Sequence, residues 1–180
     1  LVVNTMRINN IHIINQGSQI VGLTGSTLYD LENKLKPYGR EPHSIIGSTS
    51  IGASIIGGIC NNAGGSLVQR GPSYTEMALY AKINKNGKLE LVNELEIDLG
   101  SKPEDILDNL QNQNYEESDI RNTNRLGSDD KYSEIVREID KNSPARFNSD
   151  SRLLYGASGS AGKIAVFAVR LDTYLSPVDN

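Results

Sequence analysis

Gly47-Ser48-Thr49-Ser50-Ile51-Gly52-Ala53-Ser54-Ile55-Ile56-Gly57-Gly58-Ile59-Cys60-Asn61-Asn62-Ala63-Gly64-Gly65-Ser66-Leu67-Val68-Gln69-Arg70-Gly71 is the stretch that decides how this chain is read. It packs seven of the chain's 17 glycines into 25 residues, a density that no ordinary loop explains. Ile51, Ile55, Ile56 and Ile59 recur at helical spacing and form an apolar face. Gly52, Ala53, Gly57 and Gly58 supply a second face with almost no side chain. A helical glycine costs up to about 1 kcal/mol relative to alanine, so repeated use implies that something approaches the backbone closely. Ahead of that helix, Gly47-Ser48-Thr49-Ser50 offers N–H groups and hydroxyls suited to an anionic or polar cofactor group. A helix pressed tightly against a neighbour would need the same small residues, and the pattern alone does not choose between the two. The Gly-Lys-Ser/Thr ending of a phosphate-binding Walker loop is absent, and so is the G-x-G-x-x-G dinucleotide fingerprint.

On the N-terminal side, short strands are expected at Leu1–Thr5, Ile11–Asn15 and Gln19–Leu23, the last two joined through the turn-rich Asn15-Gln16-Gly17-Ser18. Gly25-Ser26-Thr27 reads as a turn with an N-cap. Leu28, Leu31 and Leu35 follow at helical spacing until Pro37. On the C-terminal side, Met77–Ile83 and Lys88–Val92 form a hairpin across Asn84-Lys85-Asn86-Gly87. Ser101-Lys102-Pro103-Glu104 predicts a capped helix start, with Ile106, Leu107 and Leu110 on its apolar face. Residues 111–131 are nearly all polar and predict an irregular or mobile excursion. Tyr132, Ile135, Val136 and Ile139 mark a further helix before Pro144. A small-residue turn at Gly156 then feeds a strand over Ile164–Val169.

Composition narrows the chemistry. The chain has 180 residues, a net charge of −4 and a sequence pI near 5.2, the wrong balance for a nucleic-acid partner. Its apolar runs are broken by Gly, Asn or Ser well short of the roughly 20 residues of a membrane-spanning helix. One cysteine, Cys60, excludes an internal disulfide, and with only His12 and His43 beside it no zinc-binding pattern exists. Cys60 reads as an inert buried thiol, both histidines as structural, and Arg70 as a surface cation that could meet an anion. The acidic residues at 116–119 and 129–130 read as a solvated face. No catalytic triad or carboxylate pair emerges, so the catalytic set expected from this chain is empty.

The run Gly39-Arg40-Glu41-Pro42-His43-Ser44, the glycine-rich stretch through Arg70-Gly71-Pro72, and Ser160-Ala161-Gly162-Lys163-Ile164-Ala165-Val166-Phe167-Ala168-Val169-Arg170-Leu171-Asp172-Thr173 together closely resemble one family. It is that of the quinone-dependent, FAD-linked D-lactate dehydrogenases of bacterial respiration, within the vanillyl-alcohol oxidase superfamily of flavoproteins. The resemblance implies an α+β fold: residues 1–175 as the second subdomain of a PCMH-type FAD-binding domain and residues 176–180 as a linker. It further implies that an upstream subdomain carrying the pyrophosphate loop and a downstream substrate domain with the membrane-contacting surface belong to the intact protein. The opening directly on the β-type run Leu1-Val2-Val3 agrees with a fragment.

By the same resemblance, non-covalently bound FAD is contacted by Gly47, Ser54 and Gly64 and by the main chain of Val166. Ser48, Thr49, Gly52, Gly57 and Gly58 shape the cleft. Each assignment has a physical reason: glycines leave room beside the backbone, Ser54 supplies a hydroxyl, and Val166 presents N–H and C=O. D-Lactate and a membrane quinone are the implied partners of the intact enzyme, at the cytoplasmic face of the inner membrane, while this segment by itself is expected to be soluble and inactive. Two other readings stay open on the residues: an FAD enzyme for another 2-hydroxy acid, and a non-catalytic domain using the cleft for anion binding or packing.

Overall fold

A five-stranded sheet in the order β1-β2-β6-β4-β5, antiparallel at every pairing, organises the chain. The structure, a computed structural model, describes residues 3–44, 52–64, 68–142 and 151–177. The strands are β1 (Ile11–Ile14), β2 (Gln19–Leu23), β4 (Ala78–Ile83), β5 (Leu89–Asn93) and β6 (Ala165–Asp172). A two-stranded ribbon pairs β3 (Arg40–Glu41) with β7 (Tyr174–Leu175). The helices are α1 (Leu28–Leu35), α2 (Ile55–Cys60), α3 (Pro103–Asn112) and α4 (Tyr132–Ile135). This mixed architecture with antiparallel sheets agrees with the α+β expectation.

The sheet is covered on both faces. Side chains alternate across a strand, so Ile11, Ile20, Ala78, Tyr80, Val169 and Leu171 point to one side, where α1 and α2 bring Leu28, Leu31, Leu35, Ile55, Ile56 and Ile59. The other side holds Val21, Leu23, Leu79 and Ala168 against Leu95, Ile97, Leu99 and the Ile106 and Leu110 of α3. One irregularity changes which residue faces where. Leu79 pairs with Ala168 but Tyr80 pairs with Val166, so Phe167 is an extra residue in β6, a β-bulge. Phe167 and Ala168 therefore both face the α3 side, and Val166 is returned to the side of α1 and α2. Strict alternation from Leu171 would have put Val166 on the opposite side.

Several local expectations need correction. Residues 3–5 form no strand, and the sheet begins at Ile11, while Leu1 and Val2 lie outside the described residues. The cap of α3 is Lys102, whose side chain makes no capping bond, rather than Ser101; Pro103 occupies the first turn as expected. Helix α4 is a single turn, shorter than the apolar spacing through Ile139 suggested. Residues 113–131 are irregular, with one 3₁₀ turn at Glu117–Asp119. They are tied to the sheet side by an Ile97–Ile120 bridge and by Arg121 N–H donating to the Glu96 carbonyl at 2.8 Å. Tyr115 and Ile120 pack on the α3-side core, which is how so polar a segment stays attached. The acidic stretch is not uniformly solvated either, because Asp129 is buried and accepts from the Lys131 N–H at 3.1 Å.

Candidate functional site

Helix α2 is the centre of the glycine-rich region and is held on three sides. At its N-terminus Ser54 Oγ caps the Gly57 N–H at 3.0 Å. That cap lies beside the cap of α1, where Thr27 Oγ1 accepts from the Asp30 N–H at 3.1 Å. The Leu28 N–H donates to the Ala53 carbonyl and the Ile55 N–H to the Ser26 carbonyl, at 2.9 and 3.1 Å, locking the two helix starts together. At the C-terminus, the turn after Tyr155 wraps round: Gly159 N–H donates to Ile59 O at 3.1 Å and Ala161 N–H to Cys60 O at 2.9 Å. Those bonds satisfy carbonyls that a helix end leaves open. Ile55 and Ile59, both 0% exposed, anchor the inner face.

The helix starts later than its sequence suggested. Ser54 is the N-cap, so Gly52 and Ala53 precede the helix, and only Gly57 and Gly58 form its small-residue face. These two glycines are accounted for inside the chain. A Cβ on Gly57 would lie 2.6 Å from Ser54 Oγ, and one on Gly58 would lie 3.2 Å from Ser73 Oγ. Gly52 and Gly64 are different: a Cβ on either would meet nothing within 4 Å, and Gly52 also needs its left-handed φ of +90°. Gly47, Ser48 and Thr49 lie outside the described residues. Ser54 and Val166 are brought to neighbouring elements, since α2 packs on β6 and Val166 joins the cluster formed by Ile55, Ile56 and Ile59.

Thr24, which the sequence reading passed over, completes this corner. Strand β2 stops pairing with β6 at Leu23 and Ala168. The Thr24 hydroxyl takes over, lying 3.0 Å from the Val166 carbonyl oxygen and 2.8 Å from that of Phe167. The only signal in the sequence was a hydroxyl residue directly after a strand.

Titratable groups nearby are poorly placed for acid–base work. His43 is buried with neither ring nitrogen hydrogen-bonded, and burial, with the Arg70 charge adding to it, lowers its pKa from 6.5 to about 4. Burial also pushes the Cys60 thiol up, which keeps it protonated and unreactive. Arg70 is committed: it donates to Glu41 Oε2 at 2.6 Å and to the Pro42 carbonyl at 2.9 Å, with its guanidinium 4.6 Å from the centre of the Tyr174 ring. His12, in the sheet, donates to or accepts from the Tyr115 hydroxyl at 2.7 Å through Nδ1, and burial lowers its pKa to about 4, with Lys34 adding to it. Among the described residues no group of three or more His, Cys, Asp or Glu is arranged to hold a metal ion.

The donor set fits one wall of an FAD site. Two glycines open on empty space, one hydroxyl has its proton still to donate, and the Val166–Phe167 main chain, paired with β4, has no strand partner on its β2 side. None of these groups is cationic, so the set suits the polar, uncharged parts of the cofactor better than its pyrophosphate. A broad polar hollow of about 680 Å³ lies at the other end of β2 and β6, lined by Asn15, Gln19, Asp172 and Tyr174 among others, away from these residues.

The class defined so far is an antiparallel α+β unit that leaves a glycine-lined corner open beside a short helix. Along 174 residues, 97% of its length, the chain is similar to the quinone-dependent D-lactate dehydrogenases of Haemophilus influenzae (63% identical), Escherichia coli (55%) and Corynebacterium glutamicum (46%). The resemblance read from the glycine-rich stretch and the last strand is borne out. The chain spans only 30–31% of the length of these relatives. A scan against models of known protein families finds no match.

Proposed function

We propose that this chain forms one wall of the FAD site in a quinone-dependent D-lactate dehydrogenase, as the second subdomain of a PCMH-type FAD-binding domain. Bound there, FAD would supply the two-electron chemistry that oxidises D-lactate to pyruvate, with the electrons passed on to a membrane quinone. The chain's own residues hold and orient. Gly52 and Gly64 admit the cofactor to the backbone, Ser54 donates its remaining hydroxyl proton, and Val166 contributes main-chain polar groups. Gly47, Ser48 and Thr49, outside the described residues, are assigned to the same cofactor by the resemblance alone. Gly57 and Gly58 shape it indirectly, by letting Ser54 and Ser73 close on the helix. Attachment is taken as non-covalent, and within this chain neither the buried His43 nor Cys60, whose thiol burial pushes up, is assigned an attachment role. The pyrophosphate loop, the substrate-binding residues and the membrane-contacting surface are assigned to the rest of the protein. Peripheral attachment of the intact enzyme to the inner membrane is part of the same proposal; no helix of the described residues is long and apolar enough to cross a membrane.

The observation that carries the reading is the split among the glycines: two are filled by the chain itself and two open on nothing. Packing explains the first pair and the left-handed φ of +90° explains Gly52, which leaves Gly64 as the glycine that neither packing nor backbone conformation requires. The test is a chimera in which this chain replaces the matching 174 residues of the Haemophilus influenzae relative. Purified chimera that retains FAD and reduces a quinone analogue with D-lactate supports the proposal. Chimera that folds but holds no flavin refutes it, and flavin retention with turnover of a different 2-hydroxy acid would correct the substrate.

A further inference from the structure

Strand β6 leaves the sheet's regular pattern at one place, and three separate features meet there. The bulge at Phe167 resets its alternation against β4. Pairing with β2 ends at Leu23 and Ala168, so the carbonyls of Val166 and Phe167 have no strand donor on that side. The chain turns away from β2 at Thr24, whose hydroxyl is shared between those two carbonyls at 3.0 and 2.8 Å. A hydroxyl carries a single proton and can satisfy one acceptor at a time. Two neighbouring carbonyls therefore converge on one donor, and one of them always has a free lone pair directed at the same corner.

We propose that Thr24 is a positioning residue: it fixes the paired carbonyls of Val166 and Phe167 so that the one it does not serve accepts a hydrogen bond from an amide- or imide-type N–H of the bound cofactor. This rests on the reading that FAD lies against Val166, and it adds a residue and a donor–acceptor polarity to that contact. The polarity is directional: this corner offers acceptors, so it takes a hydrogen-bond donor of the cofactor, the flavin imide N–H in this proposal, and rejects a phosphate or carboxylate. Ser26 strengthens the arrangement from behind, its buried hydroxyl donating to the Leu23 carbonyl at 2.5 Å and so holding the turn that carries Thr24.

Thr24→Val keeps the shape and removes the proton, whereas Thr24→Ser keeps the proton. Both are made in the chimera described above, and three quantities are read: the FAD dissociation constant of the apo-protein by flavin-fluorescence quenching, the apo-protein Tm, and the visible absorption bands of the bound flavin. The Val variant is expected to bind FAD about 3–10-fold more weakly, the size of one neutral hydrogen bond, with shifted flavin bands, and the Ser variant to bind within about twofold of the parent on the same scale. Val binding as tightly as the parent, or Ser as weakly as Val, overturns the proposal. So does a lowered Tm with unchanged FAD affinity, the signature of a purely structural hydroxyl. If the Val variant does not accumulate as folded protein, Thr24→Ala is titrated under the same criteria. Parent chimera without bound FAD overturns the underlying reading as well, whereas flavin-bound parent with an insensitive Thr24 overturns only this step.

Discussion

Gly64→Ala separates a cofactor wall from a packing device more cleanly than any other single change. Gly64 is exposed, its φ lies outside the left-handed range, and an added methyl would meet no atom within 4 Å. The folded apo-protein should therefore accept alanine without strain. Because alanine restricts the unfolded chain, stability should stay level or rise by about 0.4–1 kcal/mol. If FAD approaches the backbone at this glycine, the methyl fills the space that the cofactor needs, and affinity should fall at least tenfold, about 1.4 kcal/mol. The opposite signs make the result diagnostic. The chimera would be studied by urea denaturation of the apo form and by flavin-fluorescence titration. A destabilised apo-protein would show that internal packing occupies this position, and unchanged FAD affinity would remove Gly64 from the site. Gly57→Ala is the useful contrast: displacing the Ser54 cap costs about 1 kcal/mol, while replacing a helical glycine returns up to about 1 kcal/mol, so apo-stability hardly moves.

Other parts of the structure make separate predictions. Arg170 is 2% exposed and its guanidinium serves Gln19 Oε1 and the carbonyls of Leu95, Glu96 and Arg121. Arg170→Met should leave these acceptors unpaired and cost on the order of 3–5 kcal/mol in urea denaturation, and a loss below about 1 kcal/mol on that scale would mean that water replaces the guanidinium. His43 stays neutral in the folded protein down to about pH 4, whereas in the unfolded chain it takes up a proton near its ordinary 6.5. Between those values the unfolded state binds more protons, so stability should fall as pH drops from 6.5 towards 4 and level off below. His12 contributes in the same window, so His43→Phe should reduce the slope of that part of a Tm-against-pH curve without abolishing it, and an unaltered slope would show that His43 is not one of its sources. Thr27→Ala removes the α1 cap and should cost about 1 kcal/mol, measurable as a lowered denaturation midpoint with the slope unchanged.

Much of the fold was legible because local signals and tertiary packing agree. The short β-type runs either side of the turn-rich Asn15-Gln16-Gly17-Ser18, the spacing of Leu28, Leu31 and Leu35, and the Asn84-Lys85-Asn86-Gly87 turn each point to what the structure contains. Capping was read well where a side chain can do it, at Thr27, and wrongly at Ser101, where Pro103 fixes the first turn and Lys102 takes the cap position without a side-chain bond. The length of α4 was overread because Ile135, Val136 and Ile139 keep helical spacing, yet Ile139 is 82% exposed and the chain beyond Val136 continues only in tighter turns, with Arg137 N–H donating to Glu134 O and Glu138 N–H to Ile135 O. Buried Arg170 and Asp129 were invisible for a related reason: a charge is expected at the surface unless distant backbone groups receive it, and those groups are brought together only by the fold.

The site was legible in composition and illegible in its division of labour. Seven glycines within 25 residues announce close approach to a backbone, but not whether the approaching group belongs to the chain. Only the space around each position separates Gly57 and Gly58, which face serines of the same chain, from Gly52 and Gly64, which face nothing. The same holds for Val166. Its sequence Ala165-Val166-Phe167-Ala168-Val169 reads as an uninterrupted buried strand, and no residue in it advertises a bulge. The bulge arises because Phe167 and Ala168 both have a core to enter on the α3 side, and because β2 ends one residue too early to hold the next rung. Those two packing facts turn a regular strand into one whose two carbonyls share the single Thr24 hydroxyl close to the start of α2. The chemistry of this corner is thus a product of register, and register depends on contacts between residues more than 140 positions apart.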